Sequence, residues 1–144
     1  MKRALGIFLI FAIGVFAYLQ FAKPQPPVYA GTKNLSVKAI NSDGFALQFT
    51  LLFDNKNNMR TQLGHLKLKT ELNGTPLSII DNTIETTISS KSQLEYPVEL
   101  RFSKDEIPNF ENSKDYNLKI EGEIASTTFL GNYSQKFEDI ITFK

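Results

Sequence analysis

Between Gly44 and Asn57 the sequence reads GFALQFTLLFDNKN, and its apolar side chains recur with a period of two. Phe45, Leu47, Phe49, Leu51 and Phe53 fall on one side, and Ala46, Gln48, Thr50 and Leu52 on the other. That period belongs to a pleated strand with one buried face; a helix would scatter the same five residues around its axis. A half-buried strand needs paired neighbours and a second apolar layer above it, so this segment commits the chain to a layered sheet. The run ends in Asp54-Asn55-Lys56-Asn57-Asn58, short polar side chains that hydrogen-bond nearby backbone and stop a strand.

The rest of the chain repeats the pattern. Leu35, Val37 and Ala39 alternate with polar residues and, through a turn at 41–44, form a hairpin with the first strand. Leu66, Leu68, Thr70 and Leu72 alternate with Lys67, Lys69 and Glu71, and Asn73-Gly74 then supplies the two positive-φ positions of a type I′ turn. Pro76 stands at the start of the next strand, where a missing N–H does least harm, and Leu77, Ile79, Ile80, Ile84, Thr86 and Ile88 give one or two less regular strands, broken near Asp81-Asn82. Leu94 to Phe102, Tyr116 to Ile124 and Phe137 to Phe143 complete the set. Ser103 and Glu106 have the spacing of a capping box, which predicts a short helix over 104–112. About seven strands at this spacing predict an all-β fold, an antiparallel β-sandwich.

The N-terminus is of a different character. Met1-Lys2-Arg3 is followed by an apolar run from Ala4 to Ala22, closed by Lys23. As a helix, residues 5–22 span about 27 Å, close to the hydrocarbon thickness of a bilayer. The run is longer than a signal-peptide core, and no small-residue cleavage site follows it directly, which favours a retained signal anchor over a cleaved peptide. Val15-Phe16-Ala17 and Val28-Tyr29-Ala30 are the imperfect alternatives for cleavage. The basic tip keeps the N-terminus cytoplasmic, placing the remainder across the membrane, periplasmic or at the cell surface in a bacterium, and secreted if cleaved. The expected organisation is therefore an anchor at 1–22, a Pro-rich spacer at 23–30 that holds the domain off the bilayer, and a sandwich at 31–144.

Composition removes most chemistries. The chain has 144 residues, no cysteine and one histidine, which excludes disulfides, thiolate metal sites, a cysteine nucleophile and any histidine pair. His65 heads an alternating strand on the side of Lys67 and Lys69, the place of a solvated surface residue. Against a calcium-loop pattern, the segment from Asp54 puts Met59 where glycine belongs and His65 where the bidentate glutamate belongs. Asp105/Glu106 and Glu138/Asp139 are adjacent pairs whose side chains diverge. A net charge of +1 offers no basic excess for nucleic acid. No catalytic, cofactor or metal residue is assigned, and the expected partner is the membrane, through the N-terminal helix.

The ordered set of motifs resembles the type 2 late-embryogenesis-abundant family, the water-stress and hypersensitive-response domain. Its strand running into Asn-Pro-Asn appears as Phe45 to Asp54 followed by Asn55-Lys56-Asn57, with lysine in place of proline. Its apolar residue before Asn-Gly appears as Leu72-Asn73-Gly74, its Ser- and Lys-containing link as Ser89-Ser90-Lys91-Ser92, and its late glycine-ended strand as Tyr116 to Gly122. The resemblance covers about residues 31 to 144. It implies an immunoglobulin-like or fibronectin-like sandwich with a short helix, linked to desiccation and other stresses and without enzymatic activity. Asn55, Lys56, Asn57, Asn73 and Gly74 are its motif turns. Two further readings stand beside a protective role: a domain that opens between its sheets to hold a lipid, which the twelve phenylalanines would line, and an adhesive or scaffold subunit that adds a strand at a sheet edge.

Overall fold

The computed structural model describes residues 10–18, 24–40, 44–107, 115–128 and 131–143. Its strands are β1 (Val28–Ala39), β2 (Gly44–Asp54), β3 (Thr61–Leu72), β4 (Thr75–Ile88), β5 (Gln93–Ser103), β6 (Tyr116–Thr128) and β7 (Gly131–Phe143). They form two antiparallel sheets, one ordered β1-β2-β5 and the other β4-β3-β6-β7. Inner-face residues of both sheets share one core cluster, as in a fibronectin-like sandwich.

The period-two pattern decides which side chains face inward. Phe45, Leu47, Phe49, Leu51 and Phe53 are all buried, the last two completely. On β3, Thr61 and Leu63 face inward, and so do Leu66, Leu68, Thr70 and Leu72, although the two sets have opposite parity. A register shift between Leu63 and His65 absorbs the extra residue, so a β-bulge keeps the apolar side on the core through the change. The turn at Asn73-Gly74 has φ of 48° and 82°, the left-handed pair of a type I′ hairpin joining Leu72 to Thr75.

Three sequence expectations are revised. Val28–Ala30 belong to β1 rather than to a spacer, and Pro24 and Pro27 are buried, so the proline-rich stretch is docked on the domain instead of holding it away. Residues 104–106 form a turn; Ser103 N donates to Glu106 Oε2 at 2.6 Å and Glu106 N to Ser103 Oγ at 3.4 Å, so the capping box closes, while residues 108–112 of the expected helix lie outside the described residues. Of the expected 5–22 span, residues 10–18 are helical and the remainder lies outside the described residues. Among the described residues no helix is long and apolar enough to cross a membrane.

The sandwich closes at one side through a cluster that alternation alone does not reveal. Gly122 on β6 stands opposite Phe137 on β7, and the ring lies where a Cβ at 122 would be, 2.1 Å from that position. The flat glycine lets Phe137 fold over its own sheet, stack on Tyr29 at 4.4 Å and meet the edge of Phe53 at 5.6 Å. Tyr29, on the edge strand of the other sheet, donates its hydroxyl to Asp139 Oδ2 at 2.6 Å and accepts from Thr32 Oγ1 at 2.6 Å. Burial, reinforced by the carboxylate it bonds, pushes the Tyr29 phenol well above its ordinary pKa.

Two outcomes follow from this closure. Gly122→Ala is expected to destabilise the fold by about 1–3 kcal/mol in urea titrations, because the methyl group displaces a packed ring, and to cost little when Phe137 is already alanine. Tyr29 has a folded pKa above its unfolded value, so its stabilisation is complete below about pH 10 and declines as pH rises from there towards the folded value. The stability lost by Tyr29→Phe is therefore greatest near neutrality and shrinks above about pH 10, read by urea unfolding across pH.

Candidate functional site

Where β2 leaves its sheet, the backbone groups of five segments lose their strand partners in a confined space. Two asparagine side chains replace those partners. Asn55 is 1% exposed and Asn57 8%. Asn55 Oδ1 accepts from Asn57 N at 3.0 Å, an Asx-turn, and from Thr61 Oγ1 at 3.3 Å. Its Nδ2 donates to the carbonyls of Met59 at 2.8 Å, Ser89 at 2.9 Å and Ile88 at 3.2 Å, and its backbone N–H to Ser92 O at 2.9 Å. One amide thus ties the end of β2 to the approach to β3, the end of β4 and the start of β5.

Asn57 serves the incoming chain. Its Oδ1 accepts from Gln25 N and its Nδ2 donates to Gln25 O, both at 2.8 Å, so the carboxamide pairs with Gln25 as a neighbouring strand would. The same Nδ2 reaches Thr61 Oγ1 at 3.2 Å, while the Asn57 carbonyl accepts from Lys91 N at 3.1 Å and Ser90 Oγ at 3.3 Å. Lys91 takes φ of 51° to present that N–H.

Lys56 lies between the asparagines and points out. Its ammonium meets Asp54 Oδ2 at 2.6 Å, and its carbonyl accepts from Lys91 Nζ at 2.5 Å. Hydrogen bonds from Lys56 and then Gln93, the latter at 2.7 Å, hold the Asp54 carboxyl below its usual range. Asp54, Asn55, Lys56, Lys91, Ser92 and Gln93 line a concavity of about 250 Å³.

The structure does not bring the motif residues together. Asn73 and Gly74 sit at the opposite end of the sandwich, where Asn73 exchanges bonds with Asn117: Asn73 N to Asn117 O and Asn117 N to Asn73 Oδ1, each at 2.9 Å. Thr61 and Gln25, which complete the Asn55–Asn57 network, were not singled out by sequence. An inward threonine at the head of a strand is their only signal.

Elsewhere among the described residues no reactive constellation converges. His65 Nε2 is 2.5 Å from Asp81 Oδ1 on the outer face. Glu138 faces Lys119 at 3.3 Å while its neighbour Asp139 turns to Tyr29. Among the described residues no group of three or more His, Cys, Asp or Glu is placed to hold a metal ion. Phe45, Phe49, Phe53 and Phe102 lie in the core shared by the two sheets.

No protein-family model matches the sequence, and no curated protein matches it. Solved structures do. The chain is similar to an Arabidopsis thaliana protein solved in solution, with a TM-score of 0.67 at 9% identity over 83% of this chain and 82% of that one. It is also similar to a crystallised Archaeoglobus fulgidus protein, with a TM-score of 0.55 at 10% identity over 81% and 96%. A proposed late embryogenesis abundant (LEA) protein gives a TM-score of 0.52 at 13% identity over 99% and 84%. At such identities the likeness is one of fold, and the sandwich is LEA-like.

Asn55→Ala removes an amide that faces three carbonyls, and unsatisfied buried groups cost about 1–3 kcal/mol apiece. Chemical denaturation should show a loss of at least about 2 kcal/mol, whereas Lys56→Ala, an exposed change, should stay within about 0.5 kcal/mol. Equal effects of the two substitutions would contradict this division of roles.

Proposed function

We propose, on the premise of an LEA-like sandwich, that the chain is a non-enzymatic protective domain associated with water stress. It is tethered to a membrane by its N-terminal apolar segment, with the sandwich outside the cytoplasm. What supports the tether is residues 10–18, where Ile10, Phe11, Ile13, Phe16 and Tyr18 are between 59% and 72% exposed on one helical stretch. Apolar surface at that density calls for a nonpolar environment, and the sequence continues it from Ala4 to Ala22 behind a basic tip.

The protective reading draws on the fold, through its likeness to a proposed late embryogenesis abundant protein. A domain of this kind acts through its surface, by occupying space or contacting clients as water is withdrawn.

Membranes from cells producing the full chain are expected to retain it after alkaline carbonate extraction, with an intact mass that still includes Lys2 and Arg3, and with the sandwich open to protease from outside. A test enzyme dried beside vesicles carrying the chain should keep more activity on rehydration than one dried beside vesicles carrying an inert anchored protein of equal mass. Equal recovery would sink the protective role, and a mature start near Tyr18 or Gly31 would sink the tether.

A further inference from the structure

The two ends of the sandwich differ in charge, and the chain enters at one of them. Gln25, fixed by both backbone groups to the Asn57 carboxamide, lies three residues past Ala22, the last residue of the apolar run. Three residues reach at most about 10 Å. A segment leaving the bilayer at Ala22 therefore keeps the Asn55–Asn57 end of the domain within reach of the headgroup layer without by itself seating it there.

That end carries exposed Lys56, Arg60 and Lys91. Asp54 is the acidic residue of the described loops there and is already engaged by Lys56 at 2.6 Å and Gln93 at 2.7 Å, while Glu95, two residues further along β5, is paired with Lys33. The opposite end reverses the balance: its described charged residues are Lys104, Asp105, Glu106 and Asp115. Lys56 and Lys91 lie together on the rim of the 250 Å³ concavity, where the Lys91 ammonium uses one of its three N–H donors on the Lys56 carbonyl. An ammonium has two further donors, and the exposed Lys91 side chain can offer them to an anion.

We propose that this end is a docking surface for anionic phospholipid headgroups, with Lys56, Arg60 and Lys91 as the contacts that seat the domain upright on the bilayer. The inference rests on the tether reading and adds a preferred lipid and orientation to it. Zwitterionic lipid offers these cations no net charge, whereas each surface cation gains about fivefold in favour of an anionic leaflet. Three cations less one acid then give about a 30-fold shift towards the docked state, reduced by screening at high salt.

The chain has no cysteine, so Asn58→Cys and Asp105→Cys each accept one fluorophore, near the two ends respectively. The labelled full chain is reconstituted into vesicles of phosphatidylcholine alone or mixed with phosphatidylserine, both containing a headgroup quencher. The expected result is strong quenching at 58 in phosphatidylserine vesicles, lost in high salt or with Lys56→Gln/Arg60→Gln/Lys91→Gln, and little quenching at 105 throughout. Vesicle-bound chain whose quenching at 58 ignores lipid charge and salt overturns the docking surface and leaves the tether standing. Chain recovered free of both vesicle types overturns the tether and the docking surface with it. The lipid and salt comparisons use the unmutated charges, so they decide the matter even if the triple variant misfolds.

Discussion

The hydrogen bonding of Asn55 is the constraint on which the rest of the sandwich depends. Sheets satisfy their own backbone groups along their length, but every turn between sheets leaves some without partners, and a buried one costs free energy comparable to a lost hydrogen bond. Here β2, β3, β4 and β5 all begin or end within reach of one carboxamide, which binds the carbonyls of Met59, Ile88 and Ser89. Because Asn55 follows β2 of one sheet while those carbonyls border β3 and β4 of the other, the same side chain fixes how the sheets align at that end. Asn57 extends the arrangement to the entering chain through Gln25.

From that fixed end, alternation carries the core outward. Leu47, Leu51, Leu66, Leu68, Leu118, Ile120 and Ile124 are fully buried, and each sits at an inward position of its strand. The bulge after Leu63 and the glycine at 122 are two departures from that alternation, beside the register shifts of β1 between Tyr29 and Gly31 and between Lys33 and Ser36. One restores parity, and the other makes room for Phe137. Both serve the same requirement, which is that a sandwich has no backbone hydrogen-bond ladder between its layers and is held together chiefly by close side-chain packing. Phe137 and Tyr29 supply that packing at the margin, where the inward rows of β1 and β7 are only half-buried.

What the sequence made legible follows from the range of each interaction. Strand faces, the Asn73-Gly74 hairpin and the polar stop at Asp54 are written in neighbouring residues; seven strands and that hairpin are present, but β1 starts at Val28 rather than Leu35, β7 at Gly131 rather than Phe137, and β4 runs unbroken through Asp81-Asn82. The reading of 23–30 as a free spacer fails because Gln25 finds its partner 32 positions away, beyond any local pattern. Tyr29, which looked like part of a cleavage site, meets Asp139 at a separation of 110. Of the candidate turn, the cap-forming residue types were visible, while Thr61 and Gln25 were not, since their roles come from tertiary placement alone.

The lysine between the two asparagines has a physical explanation in this geometry. The Asx-turn joins Asn55 to the N–H of residue 57, so the side chains at 55 and 57 turn inward and the one at 56 is expelled, leaving its side chain 58% exposed. A proline there would stiffen the turn but add nothing to the buried network, whose bonds from Asn55 and Asn57 do not involve residue 56; the Lys56 carbonyl accepts from the exposed Lys91 ammonium. The middle position is thus released from the fold and open to surface chemistry. In this chain it carries a cation beside Lys91, at the end where the polypeptide enters the domain. The same turn that organises the backbone therefore presents charge towards whatever surface the N-terminal segment occupies.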